Sequence, residues 1–174
     1  MKNRSFAVTN AIAIVVVLYL ARSAKTSAQI TEVNARKMAP SFSLIDAAGA
    51  PVRLSDYKGR VVLLNFWATW CHGCKTEIPW YMEFQKNYTR RGLTVIGASM
   101  DDDGWKIVKP FVKAKKLNYP VVIANDALAK EYGLGAMPMS VLIDRNGRIA
   151  DSHSGVVDQS AWEAEIRKLL DERQ

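Results

Sequence analysis

The amino-acid sequence predicts an α/β fold in which one mixed β-sheet packs against helices. Two observations support this assignment. Apolar runs of strand length alternate with stretches of helical length, and the last two strands are separated by a turn short enough for a hairpin. Strands separated by helices and followed by a terminal hairpin are typical of an α/β sandwich with a mixed sheet.

The first elements are two short strands, a long central strand and a helix. Short strands at 40–44 and 51–54 flank the turn sequence DAAGA. The apolar run RVVLLNFW at 60–67 predicts a central strand that is buried on both faces. A helix is expected to follow over residues 71–88.

The second half of the chain continues this alternation. We expect a second central strand, a helix whose three aspartates lie near its positive end, a third strand, a short helix, a terminal hairpin and a closing helix. These elements correspond to residues 93–100, 101–116, 119–123, 127–132, 139–155 and 158–172.

The N-terminal segment, residues 1–28, predicts export of the rest of the chain. The basic start MKNR precedes eleven uncharged residues at 11–21. A membrane span needs about 20 apolar residues and the apolar part of a signal peptide about 7–15. The small residues of TSAQ at 26–29 suit signal cleavage, whereas Arg22 directly after the apolar run favours a retained membrane anchor. Both alternatives remain open.

The remainder divides into a polar tether, residues 29–38, and one domain, residues 39–174, which is long enough to bury a core. The formal net charge of +7 falls to +3 beyond residue 28, where 20 basic residues face 17 acidic ones. The sequence has no clustered basic stripe with interleaved aromatic residues. We therefore predict no nucleic-acid partner.

Cys71 and Cys74 are the only cysteines of the chain. A disulfide across so small a loop removes little entropy from the unfolded chain, so a structural role explains the pair poorly. Cys71 follows a central strand and opens a helix, where unpaired N–H groups and the helix dipole lower a thiol pKa to about 3.5–7.5 from about 8.5. Cys74, one turn further on, is placed to attack a mixed disulfide formed by Cys71. The pair is therefore predicted to be redox-active.

The sequence argues against two metal-binding interpretations of the motif, a zinc site and a covalent haem site. The Cys-x-x-Cys pattern is half of a zinc site, but the chain has no second cysteine pair and only two histidines, His72 inside the motif and His153. Covalent haem requires a histidine directly after the second cysteine, where this chain has Lys75. We predict no metal and no cofactor other than the redox-active disulfide Cys71–Cys74.

Three stretches in a fixed order carry a resemblance to a known family. They are APSFSLIDAAGAPVRLSDYKGRVVLLNFWATWC, FWATWCHGC and GAMPMSVLIDRNGRI. Together they resemble the thioredoxin superfamily, and within it the membrane-tethered, TlpA-like (ResA/CcmG-type) thiol–disulfide oxidoreductases of the bacterial cell envelope. The resemblance covers nearly all of residues 39–174. It implies a three-layer sandwich, with helices on both faces of a mixed central sheet and an N-terminal β-hairpin. It also implies that the protein is located in the periplasm or at the outer face of the cytoplasmic membrane.

The resemblance also implies where substrates bind. A cis-proline loop of the family lies against the disulfide, and the matching residue is Pro138, preceded by Met137. An extended substrate peptide would pair with the backbone there. Without the resemblance, a trans-proline that starts a strand is the ordinary expectation. The expected substrate-contacting residues are Trp70, His72, Gly73 and Met137, with a purely packing role as the alternative for Trp70.

A departure from the family pattern directs attention to Glu77. Thioredoxin carries a buried aspartate six residues before the first cysteine, and the resemblance implies that it moves protons for the second thiol. Here that position is Asn65, which cannot titrate. Glu77 lies three residues after Cys74 and shares its helix face, so it is the candidate base for Cys74. The alternative is a solvated carboxylate on the helix surface.

His72 leaves the reduction potential open. A cationic imidazole between the cysteines would stabilise the Cys71 thiolate and make the protein more oxidising. The strongly oxidising relatives carry histidine at the second intervening position, which here is Gly73. An exposed histidine of little influence is the alternative.

These inferences predict a thiol–disulfide oxidoreductase that reduces disulfides in exported proteins, as in cytochrome c or oxidase maturation. The resemblance implies that a membrane protein supplies the electrons, while the N-terminal segment attaches the protein to the membrane. Two alternatives remain. One is a peroxiredoxin-like peroxidase, because peroxidases of the superfamily share the stretch APSFSLIDAAGAPVRLSDYKG; the other is a Cu(I)-binding metallochaperone that uses the two cysteines with Met137 or Met139.

Overall fold

The computed structural model describes residues 30–172, which contain seven strands and four helices. The strands are β1 (Ser43–Ile45), β2 (Pro51–Arg53), β3 (Val61–Trp67), β4 (Leu93–Ser99), β5 (Val121–Ile123), β6 (Met139–Ile143) and β7 (Ile149–Ser154). The helices are α1 (His72–Tyr88), α2 (Trp105–Lys115), α3 (Asp126–Glu131) and α4 (Gln159–Asp171).

Five of the strands form one mixed sheet in the order β5-β4-β3-β6-β7. β3 pairs in parallel with β4, and β4 in parallel with β5. β6 pairs antiparallel with both β3 and β7, while β1 and β2 form a separate antiparallel hairpin. The predicted α/β fold with a mixed central sheet and an N-terminal hairpin is confirmed.

The side chains of β3 alternate between two cores, one on each face of the sheet. Leu63 and Trp67 pack on the face that α1, α2 and α4 cover, whereas Leu64 and Phe66 pack on the opposite face, against α3 and the β1–β2 hairpin. All seven residues of β3 are buried. A strand covered on both faces needs apolar side chains on both faces, which explains why apolar and polar residues do not alternate along β3.

The strand directions bring several connecting segments to one end of the sheet. β3 and β4 are parallel, so their last residues, Trp67 and Ser99, lie opposite each other. β6 is antiparallel to β3, so its first residue, Met139, lies opposite Phe66 near the end of β3. The segments that follow β3 and β4 and the segment that precedes β6 therefore meet at this edge.

Residues 30–38 are part of the folded domain, which corrects the tether that we expected at residues 29–38. Ile30 is buried, and the Thr31 N–H donates to the Ala150 carbonyl at 2.8 Å. The buried Arg36 guanidinium forms ion pairs with Asp144 at 3.1 Å and with Glu172 at 2.7 Å. Two carboxylates from distant parts of the chain thus hold this segment against the domain.

The predicted signal peptide or membrane anchor, residues 1–28, lies outside the described residues. Within residues 30–172, none of the helices has the length and apolar character needed to cross a bilayer.

Glu165 on α4 is a buried carboxylate in an environment that disfavours its ionised form. It is 6% exposed, and neither of its oxygens has a hydrogen bond of good geometry within the described part of the chain. Burial raises the pKa of Glu165, and the nearby carboxylate of Asp151 on β7 raises it further, whereas Lys168 opposes the rise. An ionised Glu165 is therefore costly in the folded state.

We expect Glu165→Gln to gain stability relative to the parent as the pH rises. The pKa of Glu165 in the native state lies above the value of about 4.3 for an unfolded glutamate. The parent therefore binds more protons when folded, and its free energy of unfolding falls as the pH rises through the raised pKa. Glutamine has no such loss. Urea unfolding at about pH 4 and about pH 9, below the unfolded pKa and above the raised one, measures the difference.

The control for this experiment is Glu83→Gln, because Glu83 is an exposed glutamate on α1. It should show no comparable gain. Equal pH dependence of the two variants would contradict the argument.

Candidate active site

Cys71 and Cys74 form a disulfide at the point where β3 leads into α1. Cys71 is the N-cap residue of α1, and its sulfur accepts a hydrogen bond from the Cys74 N–H at 3.2 Å. Cys71 is 7% exposed, whereas Cys74 is fully buried. Of the two cysteines, only Cys71 has any solvent-exposed surface.

The N-terminus of α1 provides the electrostatic environment of Cys71. The first N–H groups of a helix lack intrahelical partners, and the helix dipole places partial positive charge there. When the disulfide is opened, this position stabilises a thiolate. Trp70 and His72, on either side of Cys71, are both exposed, and Trp70 reaches 66% exposure. An exposed apolar side chain thus directly precedes Cys71 in the chain.

Asp101 is a site residue that the sequence analysis missed. We expected residues 101–116 to form a helix, but α2 begins at Trp105, because the buried Asp101 carboxylate binds the loop that precedes the cysteines. It accepts hydrogen bonds from the Thr69 N–H at 2.9 Å, the Thr69 hydroxyl at 2.7 Å and the Ser99 hydroxyl at 2.8 Å. An aspartate directly after a central strand, at the same sheet edge as the cysteines, was the available signal.

Pro138 is buried and directly precedes β6. The Met137–Pro138 peptide bond is cis, as the resemblance implies, and Met137 is half-buried. The Pro138 carbonyl accepts a hydrogen bond from the Gly155 N–H at 2.8 Å. This bond ties the proline loop to the segment between β7 and α4.

Gly73 is the point at which three segments make contact. A Cβ atom at this residue would lie 2.9 Å from Val156 Cγ2 and 3.1 Å from Pro138 Cδ. Both distances are shorter than ordinary van der Waals contact, so only glycine fits without a shift of its neighbours. Val156 is 45% exposed and, like Trp70, presents apolar surface near the disulfide. The sequence carried no signal for this role of Val156.

Glu77 is fully buried, which contradicts the alternative of a solvated helix-face carboxylate. It lies three residues after Cys74 on α1 and therefore on the same helix face. Its Oε1 atom accepts a hydrogen bond from the Val157 N–H at 2.8 Å, whereas Oε2 has no hydrogen bond of good geometry in the described residues. Burial raises the pKa of Glu77 to about 7, although the Val157 N–H and the Tyr81 hydroxyl oppose the rise.

Asn65 belongs to a buried polar group on the same face of the sheet. Its Nδ2 atom donates to Ser140 Oγ at 3.1 Å, and Ser140 Oγ also shares a hydrogen bond of 2.7 Å with the Tyr81 hydroxyl. Ser140 and Tyr81 were not identified from the sequence. The four-residue spacing of Tyr81 from Glu77 on a helix was the signal that could have found Tyr81.

The geometry combines a slightly exposed cysteine at a helix N-terminus with a buried cysteine, and the carboxylate one helical turn after the buried cysteine has a pKa raised to about 7. This combination suits thiol–disulfide exchange, which needs a thiolate for attack and a second thiolate for resolution. Within residues 30–172, no cluster of three or more His, Cys, Asp or Glu side chains is arranged to hold a metal ion.

Sequence comparison finds two kinds of similarity. The profile of the AhpC/TSA family matches residues 35–152. The chain is also 35% identical, over 134 residues, to the thiol–disulfide oxidoreductase ResA of Bacillus thuringiensis subsp. konkukian (strain 97-27). That match covers 76% of this chain and 77% of the relative.

Solved structures show the same similarity. A chain from Chlorobium tepidum, assigned as thiol:disulfide interchange protein DsbE, superimposes with a TM-score of 0.74 at 33% identity and covers 78% of this chain and 96% of that chain. A thiol:disulfide interchange protein of the thioredoxin family from Chlorobium tepidum TLS gives a TM-score of 0.71 at 29% identity and covers 78% and 97% of the two chains.

We expect Gly73→Ala to destabilise the oxidised protein by about 1–3 kcal/mol, the range typical of overpacking. The new methyl group would clash with Val156 and Pro138, and the proline ring has little freedom to move. Adding Val156→Ala should recover part of the loss, because it removes the closer contact. Denaturant unfolding of the two variants measures both effects. A double variant no more stable than Gly73→Ala would show that Val156 does not limit the space.

Proposed function

The chain belongs to the AhpC/TSA family and is a thiol–disulfide oxidoreductase, and on this premise we propose that it reduces disulfides in exported proteins of the bacterial cell envelope. The observation that supports a reductant is the burial of Glu77 beside the buried Cys74. A reductant must ionise its second thiol inside the mixed disulfide, where solvent has little access. A carboxylate with a pKa near neutrality is suited to that step.

In the first step, the Cys71 thiolate attacks one sulfur of the client disulfide. The client S–S bond breaks while a new bond forms between Cys71 and the attacked sulfur. The other client sulfur leaves as a thiolate and takes a proton from solvent. The helix N-terminus assists because it stabilises the attacking thiolate.

In the second step, Glu77 accepts the proton of Cys74, and the Cys74 thiolate attacks the sulfur of Cys71. The Cys71–Cys74 disulfide forms, and the remaining client sulfur leaves as a thiolate, which takes up one proton. Glu77 returns its proton to the medium. Two electrons have then passed from the cysteine pair to the client, which gains two thiols.

The residues between the cysteines support the reducing direction. An oxidant keeps its reduced form stable through a strongly stabilised thiolate. In this chain Gly73 occupies the position at which strongly oxidising relatives carry histidine, and His72 is exposed to solvent. Water screens the charge of an exposed imidazole, so its stabilisation of the Cys71 thiolate is small.

We assign client binding to Trp70, His72, Gly73 and Met137, and the buried Pro138 packs close to Gly73. An extended client segment would pair with the backbone before Pro138. The clients are exported proteins such as those of cytochrome c or oxidase maturation. A membrane protein would supply the electrons, and the N-terminal segment would keep the protein at the outer face of the cytoplasmic membrane, or in the periplasm if it is cleaved.

We expect the Cys71–Cys74 couple to have a reduction potential near that of a reductant, about −270 mV, rather than near that of an oxidant, about −120 mV. Equilibration of the full chain with glutathione or dithiothreitol buffers measures this value. A potential at the oxidant end would contradict the proposed direction. Peroxide turnover faster than disulfide reduction would instead favour the peroxidase alternative.

We expect Glu77→Gln to slow disulfide reduction near neutral pH by about 10²-fold or less, the low end for general base catalysis. Glutamine keeps the acceptor for the Val157 N–H but cannot take the Cys74 proton. The parent rate should rise through the Glu77 pKa of about 7, and the variant should lack this rise. The difference should shrink above about pH 8.5, where a cysteine ionises unaided.

The matched control is Glu83→Gln, an exposed site on the same helix. Its pH–rate profile should follow that of the parent. A Glu77→Gln profile indistinguishable from the control would remove Glu77 from the mechanism.

A further inference from the structure

The carboxylate of Asp101 is buried beside the turn that leads from β3 to the disulfide. Only 3% of Asp101 is exposed. β4 ends at Ser99, opposite Trp67 at the end of β3, so Asp101 follows at the sheet edge where the chain turns toward the cysteines. This turn is closed by a hydrogen bond of 3.1 Å from the Cys71 N–H to the Ala68 carbonyl.

Within the described residues, every group that bonds to this carboxylate is a donor. The Thr69 N–H donates to Oδ2 at 2.9 Å and to Oδ1 at 3.1 Å, and the Thr69 hydroxyl donates to Oδ1 at 2.7 Å. The Ser99 hydroxyl donates to Oδ2 at 2.8 Å, while its oxygen accepts from the Asp101 N–H at 3.2 Å. An ionised carboxylate only accepts, so this arrangement suits the anion. Asp101 therefore places a buried negative charge at Thr69, two residues before Cys71.

These hydrogen bonds do not by themselves require the negative charge. An asparagine at this position can place its oxygen where Oδ2 lies and accept from the Thr69 N–H and the Ser99 hydroxyl. Its NH₂ group then replaces Oδ1 and donates to the hydroxyl of Thr69, which is only half-buried and can turn its own proton toward solvent. Only the longer contact of 3.1 Å is lost. Burying a charge costs more than burying a neutral amide, so the charge of Asp101 needs a separate reason.

The charge lies close enough to Cys71 to affect its thiolate. Two residues of chain span at most about 7 Å, and Asp101 Oδ2 lies 2.9 Å from the Thr69 nitrogen, so it is within about 10 Å of the Cys71 nitrogen. The Debye length is about 10 Å at 0.1 M salt, and buried charges are screened less than exposed ones. A negative charge in this place disfavours a thiolate and opposes the stabilisation that the helix N-terminus provides.

We propose that Asp101 is a positioning residue that also makes the Cys71–Cys74 couple more reducing. This inference rests on the proposed function, for which it supplies one physical cause of the reducing direction. The hydrogen bonds of Asp101 hold the turn before Cys71, while its charge raises the free energy of the Cys71 thiolate. The disulfide carries no charge, so Asp101 destabilises the reduced form relative to the oxidised form. A couple whose reduced form is less stable is the stronger reductant.

The other charged side chains near Cys71 in the chain, and those next to Asp101, are exposed, so water screens their charges. They are His72, Lys75, Asp102 and Asp103. The proline loop, residues 134–138, and the β7–α4 segment, residues 155–157, carry no charged side chain. Glu77 is a second buried carboxylate near the cysteine pair. It is present in the parent and in an Asp101 variant alike, so a difference between the two reports the charge of Asp101.

Asp101→Asn removes the charge and keeps the shape, and the full chain equilibrated with glutathione reports the result. We expect the equilibrium constant to shift about threefold to tenfold toward the reduced protein, and tenfold corresponds to about 30 mV for this two-electron couple. The pKa of the Cys71 thiol, measured from the pH dependence of its alkylation in the reduced protein, should fall. A turn that merely loosened would weaken the effect of the helix N-terminus and raise this pKa instead.

Two control variants separate the charge from the hydrogen bonds. Asp102→Asn removes the exposed carboxylate next in the chain and should leave both values at those of the parent. Thr69→Val removes the hydroxyl that donates to Asp101 but keeps the charge, so it should shift both values much less than Asp101→Asn. Urea unfolding of the oxidised proteins checks that each variant is folded. If Asp101→Asn does not fold, Asp101→Ser, which has a smaller neutral side chain, provides the same test.

An unchanged or more reducing couple in Asp101→Asn, a raised Cys71 pKa, or an equal shift in either control would overturn the proposal. The potential of the parent separates this result from the proposed function. A parent at the oxidant end rejects the reducing direction, whereas the difference between parent and variant tests Asp101 at any parent value. A parent at the reductant end whose potential does not change in Asp101→Asn would reject the role of Asp101 and leave the proposed function intact.

Discussion

The burial of one carboxylate, that of Glu77, is the constraint on which the rest of the site depends. A carboxylate without access to water favours its protonated form, unless donors are provided. The fold supplies the Val157 N–H and the Tyr81 hydroxyl, so the pKa of Glu77 lies near 7. The result is a group that can hold or release a proton beside a buried sulfur under ordinary cellular conditions.

Glu165 shows that burial by itself does not produce a functional acid. Both glutamates are buried and both have a raised pKa. Glu77 has a backbone donor and lies next to the cysteine pair in the helix, whereas Glu165 has the carboxylate of Asp151 beside it. In the first arrangement the Val157 N–H favours the ionised form against the effect of burial, whereas in the second Asp151 adds to the effect of burial and only Lys168 opposes it. Position relative to the sulfurs decides which of them can serve the reaction.

The site is assembled from segments that lie far apart in the chain, and close contacts hold them together. Asp101 fixes the loop before Cys71, and the Gly155 N–H holds the Pro138 loop. At Gly73, α1 approaches Val156 and Pro138 so closely that a side chain would not fit. These contacts surround the disulfide, in which Cys74 is fully buried and Cys71 keeps 7% of its surface exposed.

The sequence by itself determined the α/β fold class and the disulfide position at the start of α1, because strand and helix periodicity is a local property. It also determined that Glu77 is a candidate base, because residues three apart on a helix share a face. It misplaced the start of α2 and of the domain, because Asp101 and Arg36 are bound by distant groups. Only the tertiary structure decided that Glu77 is buried and which groups surround it. Val157 bonds Glu77 from 80 residues away, and Ser140 reaches Tyr81 across 59. Sheet register and helix packing set such distances, and no local pattern encodes them.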